Sequence, residues 1–408
     1  MKICLFVENY YRGGVETVVK QLLEDWKKAD FEVLFITNDS NPILKETNYR
    51  LNFIDVQTFN FITCSNWFAG TSKWTAYRSV NVVLNVLRKM IKSLSFLLQV
   101  MHFKRRFQTV EAEIFFNING GYPGSLSSRA ASIGWAKKHP DSRQIMAIHQ
   151  LVEKSRLPLR FIDNYIDSKI FTNIDKIITV SEICRLSFKN RKNIAICKSQ
   201  VVIRNAANLD LVDAHTSALK REVFNIDRDT KIFLMVASYE LRKGHSFLLQ
   251  CVAKVREQNL NCHLICVGDD PTGMIPDLVL ASEKLEISEM VTFLRYRDDV
   301  SAFFELCDVV VIPSQTSESS SLVAIEALSH RKPIVATNVG ALVETIPHGL
   351  GAQLFHPSDI DGFARALIEL SLNTELYSWY ANESSKQASE FSIENMLSSY
   401  RSEMLNLI

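Results

Sequence analysis

Short apolar runs alternate with longer segments of helical periodicity through the first half of the chain. The runs predict five strands, at Ile3–Val7, Glu32–Thr37, Ile114–Ile118, Gln144–Ile148 and Lys176–Val180. After the first of them, a Gly13-Gly14 turn leads into Glu16 to Lys27, where apolar residues recur at helical spacing. Strands that alternate with helices predict a parallel sheet covered by helices on both faces.

The second half repeats this alternation after a polar segment, residues 206–228, which has little apolar periodicity and predicts a linker. The predicted strands are Ile232–Val236, His263–Val267, Val291–Leu294, Asp308–Ile312 and Pro333–Thr337, and the predicted helices are His245–Glu257, 276–286 and Leu322–His330. The last segment, Ser392 to Leu407, has a helical pattern, and we expect it to cross back onto the first domain.

This pattern predicts an α/β fold of two Rossmann-like, doubly wound parallel-sheet domains. The N-terminal domain is predicted over residues 1–205, with residues 388–408 added by the returning helix, and the C-terminal domain over 206–387. A chain of 408 residues is also too long for one ordinary core, which agrees with two domains.

Charge and cysteine usage narrow the class of protein. A charged fraction of 22% and a net charge of +1 are typical of a globular protein and argue against a nucleic-acid partner. The eight cysteines lie mostly in apolar runs and form no CxxC pair, so we expect reduced, buried thiols in a cytoplasmic protein. Cys262, His263 and Cys266 are a minor zinc alternative, because on a strand the histidine faces away from the two cysteines.

Targeting signals are not expected. Met1 and Lys2 lead directly into a predicted strand, which is unlike a secretory signal peptide. No run of 18 or more apolar residues occurs, so we predict no membrane-spanning helix.

One segment interrupts the α/β alternation. Val56 to Val110 contains no Asp or Glu but eight Lys or Arg residues. Its apolar residues form a helical stripe, made of Val80, Val83, Leu84, Leu87, Met90, Ile91, Leu94, Leu97, Leu98 and Met101. A basic helix with a strong apolar face favours peripheral contact with an anionic membrane, through residues 76–106. The alternative is a helical pair packed against the first domain, with a solvated basic face.

Two carboxylates, Glu318 and Glu326, lie eight positions apart on either side of a predicted helix start. A buried strand ended by Pro313 precedes them. A strand, a loop of small residues and a helix N-terminus form an anion site in α/β proteins, and carboxylates beside it can hold sugar hydroxyls. The pattern predicts an enzyme that binds a sugar nucleotide. A solvated helix position is the alternative for Glu326, but its apolar neighbours disfavour a charge without a partner.

Three further positions add to this chemistry. The Gly13-Gly14 turn allows close approach of the backbone and exposes amides at a helix start, although a plain turn is the alternative. Arg242 and Lys243 follow a strand and precede a helix, where cations suit a diphosphate, although such pairs are also common as solvated charges. His149 ends an apolar strand, and a satisfied core histidine is its alternative role.

In their order and spacing these motifs resemble the glycosyltransferases of the GT-B fold, and specifically glycosyltransferase family 4. The resemblance covers nearly the whole chain. The motifs are Arg12-Gly13-Gly14-Val15-Glu16, Ile148-His149, Asp175–Glu182, Val202–Asn205, Lys243-Gly244-His245, Val267-Gly268-Asp269, Glu318–Glu326, Pro333–Thr337, and Gly340 with Glu344. The resemblance implies two domains that face a cleft.

The family transfers a sugar from a nucleotide diphospho-sugar with retention of anomeric configuration and without an essential metal. By its matched position, Glu326 would bind the ribose hydroxyls and Glu318 would face the donor sugar. His149 would touch the donor sugar or the acceptor, and the acceptor would bind the N-terminal domain.

The same resemblance implies how the diphosphate is held. Backbone amides around Ser320, Ser321 and Leu322 would meet it at the helix N-terminus. Lys243 would neutralise the charge that develops on the leaving diphosphate, and Gly14 would bring amides from the opposite domain.

Three departures from the family pattern bear on activity and donor choice. Ser238 stands where the family often has an Arg five residues before the lysine, so either Arg242 substitutes for that Arg from the neighbouring position or one phosphate contact is missing. Ser319-Ser320-Ser321 stands where Gly-Phe-Gly is common. Arg295 follows a strand that is usually followed by Gly, in a loop that often meets the nucleobase.

The sequence therefore predicts a retaining glycosyltransferase that uses a UDP- or GDP-linked sugar and requires no cofactor or metal. The basic segment predicts a glycan or lipid-linked saccharide acceptor, as in cell-surface polysaccharide synthesis, at the inner face of the plasma membrane. A nucleotide-sugar epimerase or hydrolase and a non-catalytic nucleotide-sugar-binding module remain alternatives. A nicotinamide dehydrogenase is disfavoured because GxGxxG is absent.

Overall fold

The computed structural model describes residues 1–10, 13–45, 54–60, 78–154, 160–194, 197–207 and 221–408. For residues 45, 78–90 and 92 it describes the backbone alone. Arg12, residues 76–77 and most of the predicted linker lie outside the described residues, as do the side chains of the stripe from Val80 to Met90.

The chain divides into two compact units. The first contains Met1–Val180, Cys184–Ile203 and Leu397–Ile408, and the second contains Ser181–Ile183 and Arg204–Met396. The C-terminal residues thus belong to the first unit, although they follow the second along the chain.

The described residues of the first unit form a seven-stranded, all-parallel sheet with the order β3-β2-β1-β4-β5-β6-β7. The strands are β1 (Lys2–Val7), β2 (Glu32–Asn38), β3 (Asp55–Phe59), β4 (Ile114–Asn119), β5 (Arg143–Ile148), β6 (Lys176–Thr179) and β7 (Gln200–Val202). Its helices are α1 (Gly14–Lys28), α2 (Arg78–Arg106), α3 (Leu126–Ala136) and α4 (Arg160–Phe171), and α5 (Glu182–Ser187) begins in the second unit and ends in the first. The prediction omitted β3 and β7, which are the two edges of this sheet.

Helix α2 packs on the sheet through a face that the sequence analysis did not single out. Phe96, Val100, Phe103 and Phe107 are buried and follow one another at helical spacing through α2 and the turn after it. The four described residues of the predicted stripe beyond Ile91 are instead more than half exposed: Leu94, Leu97, Leu98 and Met101. The helix therefore carries apolar side chains on two faces, and only the mainly aromatic one faces the core.

In the part of the second unit that the structure describes, six parallel strands form a sheet with the order β10-β9-β8-β11-β12-β13. Its strands are β8 (Lys231–Val236), β9 (Cys262–Val267), β10 (Val291–Leu294), β11 (Val309–Ile312), β12 (Ile334–Thr337) and β13 (Ala352–Phe355). Its helices are α6 (His245–Glu257), α7 (Ile275–Lys284), α8 (Val300–Leu306), α9 (Leu322–Ser329), α10 (Leu342–Thr345), α11 (Ile360–Leu372) and α12 (Thr374–Ala388). The strand order reverses between β8 and β11, so the loops after these strands leave the sheet on either side of one crevice.

Both sheets consist of parallel strands alternating with helices, which confirms the predicted fold class. The last helix, α13 (Ile393–Leu405), begins in the second unit and ends in the first. There Tyr400 packs on Phe116 with ring centroids 6.1 Å apart, and Lys176 forms an ion pair with Glu403.

Tyr400 tests this attachment. Its side chain is fully buried, and its hydroxyl has no hydrogen-bond partner among the described residues. Tyr400→Phe should leave the free energy of unfolding unchanged or raise it by about 1 kcal/mol, because it removes a buried polar atom without a partner. Tyr400→Ala should lower it by about 3–5 kcal/mol, because it opens a cavity. Urea denaturation followed by fluorescence measures the free energy of unfolding of both variants. A Tyr400→Phe variant less stable than the wild type would contradict the statement that the hydroxyl lacks a partner.

Candidate functional site

The predicted residues of the second unit gather at the carboxyl edge of its sheet. Lys243 follows β8 and Glu318 follows β11, the two strands between which the strand order reverses. Helix α9 begins beside them, four residues after Glu318. Crevices at such switch points are where open α/β sheets bind ligands.

Glu318 is the centre of the site. Its side chain is about 7% exposed, and its Oε1 accepts hydrogen bonds from Lys243 Nζ at 2.5 Å and from Ser314 Oγ at 2.6 Å. Arg242 Nη1 lies 3.9 Å from the same oxygen. Two cationic side chains and one hydroxyl therefore converge on a single buried carboxylate oxygen.

Two glycines allow the loops to approach closely enough for these contacts. Gly244 has φ +83°, and a Cβ atom there would lie 1.9 Å from the carbonyl oxygen of Pro313. Gly340 has φ +55°, and a Cβ atom there would lie 2.1 Å from the carbonyl oxygen of Glu318. Any side chain at either position would separate the backbone segments that hold Lys243 and Glu318.

The serine loop between Glu318 and α9 is held by hydrogen bonds within the second unit. The carbonyl oxygen of Ser319 accepts from Ser181 Oγ at 2.7 Å, and Ser320 Oγ accepts from Asn205 Nδ2 at 3.1 Å. Ser321 is the N-cap of α9, and its Oγ accepts from the N–H of Ala324 at 3.2 Å. The loop is thus fixed in place at the start of a helix, where the helix dipole favours an anion.

Glu326 lies in a different environment from Glu318. It is one helical turn after Leu322 on the same side of α9, and both residues are partly exposed. Its carboxylate has no hydrogen bond or ion pair to any described residue. Desolvation by the surrounding protein raises the pKa of Glu326 from 4.5 to about 7. A carboxylate in this condition can accept hydrogen bonds from a ligand without losing a protein partner.

Ser238 and Arg242 belong to one small network. Ser238 Oγ donates to Glu240 Oε1 at 2.6 Å, and Arg242 Nε donates to Glu240 Oε2 at 2.8 Å. Burial opposes ionisation of Glu240, but hydrogen bonds from Ser238 and Arg242 outweigh it and lower the pKa of Glu240. Glu240 therefore holds the Arg242 guanidinium near Glu318.

The remaining predicted residues lie apart from this cluster. Arg295 is exposed after the edge strand β10. Gly13, Gly14 and His149 belong to the first unit: Gly13 is the N-cap of α1, Gly14 is its first residue, and His149 follows β5. Burial lowers the pKa of His149 to about 4, so its ring is neutral near pH 7, and neither ring nitrogen has a hydrogen-bond partner among the described residues.

The zinc alternative finds no support in β9. The ring of His263 lies 2.8 Å from Thr292 Oγ1. Burial raises the pKa of Cys262 to about 12 and also raises that of Cys266, which disfavours the thiolate form that binds zinc.

Sequence reasoning missed two residues of the site, Ser314 and Glu240. Ser314 comes two residues after β11, and Glu240 lies between Ser238 and Arg242 on the loop after β8. Their roles depend on which side chains the fold brings near them. A polar residue just after a predicted strand is the only sequence signal that either one carries.

The chain resembles known glycosyltransferases in both sequence and structure. Residues 217–387, within the second unit, match the family model described as Glycosyl transferases group 1. A D-inositol 3-phosphate glycosyltransferase from Mycolicibacterium smegmatis is 31% identical over 207 residues, which cover 49% of this chain and 46% of the relative. The chain thus spans about half the length of that relative. A lipopolysaccharide 1,2-N-acetylglucosaminetransferase from Salmonella typhimurium is 21% identical over 278 residues, 66% of this chain and 68% of the relative.

Solved structures resemble nearly the whole chain. A glycosyltransferase from Rickettsia africae superposes with a TM-score of 0.75 at 17% identity, over 98% of this chain and 97% of that one. HepE from Anabaena, solved in complex with UDP, gives 0.73 at 16% identity over the full length of both chains. At these identities the likeness concerns the fold alone, and with the two parallel sheets it confirms the predicted GT-B class.

The raised pKa of Glu326 predicts a pH-dependent stability difference. The unfolded chain loses this proton near pH 4.5 and the folded chain near pH 7, so the folded state binds more protons between these values. The wild type should therefore lose stability relative to Glu326→Gln as pH rises through this window. Urea denaturation on either side of the window measures the difference, and Glu283→Gln, at an exposed position on α7, is the control for loss of one charge. A difference that does not change with pH would contradict the assignment.

Proposed function

We propose that this chain is a retaining glycosyltransferase of family 4, which transfers a sugar from a nucleotide diphospho-sugar to a saccharide acceptor. The observation that carries the proposal is the convergence of Lys243, Ser314 and Arg242 on Glu318 at the switch point of the second sheet. The match of residues 217–387 to the Glycosyl transferases group 1 model supports it independently.

The donor lies against the start of α9. Its diphosphate accepts hydrogen bonds from the amides around Ser320, Ser321 and Leu322, and Glu326 accepts hydrogen bonds from the ribose hydroxyls. The carboxylate of Glu326 is partly exposed and has no partner among the described residues, and this supports the assignment because ribose hydroxyls would supply partners. UDP-linked and GDP-linked sugars are both candidates, and the solved complex of HepE with UDP favours the former.

Charge stabilisation drives departure of the diphosphate. Lys243 and Arg242 carry the positive charge nearest to Glu318, and they meet the negative charge that develops on the leaving phosphate. Glu318 faces the donor sugar and stabilises positive charge at the anomeric carbon. The acceptor attacks the same face from which the diphosphate leaves, and the leaving phosphate takes the acceptor's proton, so no protein base is assigned. Arg242 and Lys243 supply this charge without a metal ion.

Residues that follow strands β1 and β5 of the first unit would also contact the substrates. Gly13 and Gly14 would offer backbone amides at the start of α1 to the donor phosphates. His149, neutral and without a described hydrogen-bond partner, is suited to contact a sugar hydroxyl. Its low pKa makes it a poor cation, so a hydrogen-bonding role fits it better than charge stabilisation.

The acceptor is a glycan or a lipid-linked saccharide used in cell-surface polysaccharide synthesis, and the chain contacts the cytoplasmic face of an anionic membrane. The acid-free sequence of α2 and its exposed Leu94, Leu97, Leu98 and Met101 support this contact. Among the described residues, no helix combines the length and apolar character needed to cross a bilayer.

A nucleotide-sugar epimerase or hydrolase is the second candidate, because the same residues would bind the donor for either reaction. The two differ in their need for an acceptor. Release of UDP or GDP from a sugar nucleotide at a full catalytic rate with no acceptor present would favour the hydrolase.

Donor binding is the first test. A thermal-shift screen of UDP, GDP, ADP and their sugars should raise the melting temperature with one base only, because a ligand of the folded state stabilises it. Glu326→Ala should abolish most of that shift through loss of the ribose contacts, and Glu369→Ala on α11 is the matched control. No shift with any nucleotide would overturn the proposal. A full shift in Glu326→Ala would overturn the ribose assignment alone.

Lys243 is tested by kinetics with the donor that the screen identifies. Lys243→Ala should lower kcat about 10²–10³-fold with a smaller effect on donor KM, because the lysine acts on charge that develops during the reaction. Activity of the wild type should persist in EDTA. Lys254→Ala, a half-exposed lysine of α6, is the control. A normal kcat in the folded Lys243→Ala protein would remove this residue from the mechanism.

A further inference from the structure

A cavity of about 600 Å³ lies within the first unit, at the carboxyl ends of β4 and β5. The loops after these strands form its base, and helices α2 and α4 form its sides. Its apolar walls come from Phe96 and Leu97 on α2, Leu126 on α3, and Ile162, Tyr165 and Ile166 on α4. This volume is typical of a pocket for a small molecule.

The mouth of the cavity is rimmed by exposed apolar side chains. Leu97, Ile162 and Tyr165 line the cavity and are nevertheless 59%, 44% and 65% exposed. The apolar surface continues along α2 through Leu94 and Met101, one turn before and one turn after Leu97, and both are also exposed. Phe161, next to Ile162, is 86% exposed. Soluble surfaces rarely present so many large apolar side chains around one opening.

The interior of the cavity contains a buried cation, Arg129. Its side chain is 5% exposed, and its ion pair with Asp163 is long, with Nη1 at 3.8 Å from Oδ1. Its Nε and Nη1 atoms donate no hydrogen bond to any described residue. Asp163 also lies 3.8 Å from Arg191 Nη1, and Arg191 Nη1 meets a second buried carboxylate, Asp167, at 3.4 Å. Two carboxylates thus balance the two guanidinium groups, but neither accepts a hydrogen bond from Arg129 Nε or Nη1. Buried donors without an acceptor favour a ligand that brings acceptor oxygens, such as a phosphate.

The charge of α2 indicates the surface on which such a ligand would be found. Over its 29 residues the helix has seven Lys or Arg and no Asp or Glu. Lys104 and Arg105 are exposed on its last turn. Cationic helices with exposed apolar side chains are attracted to anionic membranes.

We propose that this cavity binds the phosphate-bearing head of a single-chain membrane lipid, with Arg129 as the phosphate ligand and the one hydrocarbon chain leaving over the rim of Leu97, Ile162 and Tyr165. Gln150 and Glu153, which also line the cavity, offer polar groups for a sugar carried by that phosphate. The lipid's role as the glycosyl acceptor rests on the proposed function, whereas the binding of the lipid in this cavity is independent of that function.

Vesicle flotation of the full chain tests the proposal. One set of phosphatidylcholine vesicles contains a polyprenyl phosphate, and a second set contains phosphatidylglycerol at the same surface charge. The wild type should bind the first set about tenfold more tightly, because only that lipid places a phosphate on a single chain within reach of Arg129. Equal binding to both sets, or binding to neither, would overturn the proposal.

Variants at the rim and in the interior refine the result. Leu97→Ser with Tyr165→Ser should weaken binding to polyprenyl phosphate vesicles about tenfold or more, since both side chains lose apolar contact area. Leu186→Ser, at an exposed apolar position of the first unit outside the cavity, is the matched control. Arg129→Gln should remove the preference for polyprenyl phosphate, and Arg129→Lys should retain part of it. Rim variants that bind as the wild type does would contradict the site.

Nucleotide thermal shifts on the same preparations separate this proposal from the proposed function. A wild type that binds polyprenyl phosphate but no nucleotide would retain the lipid site and lose the glycosyltransferase assignment. A wild type that binds a nucleotide but shows no preference between the vesicle sets would lose the lipid site alone.

Discussion

The ion pair between Lys243 and Glu318 is the contact on which the second unit's site depends. It joins the loops after β8 and β11, which the strand order places on either side of one crevice. The pair is largely buried, and burial of two charges costs about as much as their attraction returns. The ion pair therefore adds little to the stability of the fold, and its position at the switch point indicates a role in ligand binding. The ion pair requires glycine at positions 244 and 340, because a side chain at either position would force the loops apart.

Periodicity was sufficient to predict most of the fold and failed where a segment had two apolar patterns. The central strands are buried on both faces and read as continuous apolar runs, which is why β1, β4, β5, β8, β9 and β11 were all predicted. The edge strands β3 and β7 are shorter or more polar and were missed. In α2 the aliphatic stripe and the aromatic face share one helical period, and only packing against α3 distinguishes the buried face.

The site was predictable where a motif had a fixed position relative to a strand and a helix. Glu318, Lys243 and the serines before α9 satisfied that condition, and the fold brings Lys243 to Glu318 across 75 residues of sequence. Ser314 and Glu240 did not, because their partners are set by the geometry of two loops. The buried Arg129 lay beyond prediction for a similar reason. Its environment is built from α2, α3 and α4, and no local sequence pattern marks an arginine whose carboxylate partner is shared.

The contrast between Glu318 and Glu326 explains how two similar side chains, eight residues apart, come to differ in chemistry. Glu318 is buried, and a lysine and a serine hydroxyl donate hydrogen bonds to its carboxylate. Glu326 is desolvated without compensation, and its pKa rises to about 7 as a result. A carboxylate in that environment makes the folded protein less stable as the pH rises through this range. Hydrogen bonds from ligand hydroxyls would stabilise its ionised form, so the raised pKa of Glu326 agrees with the proposed ribose contact.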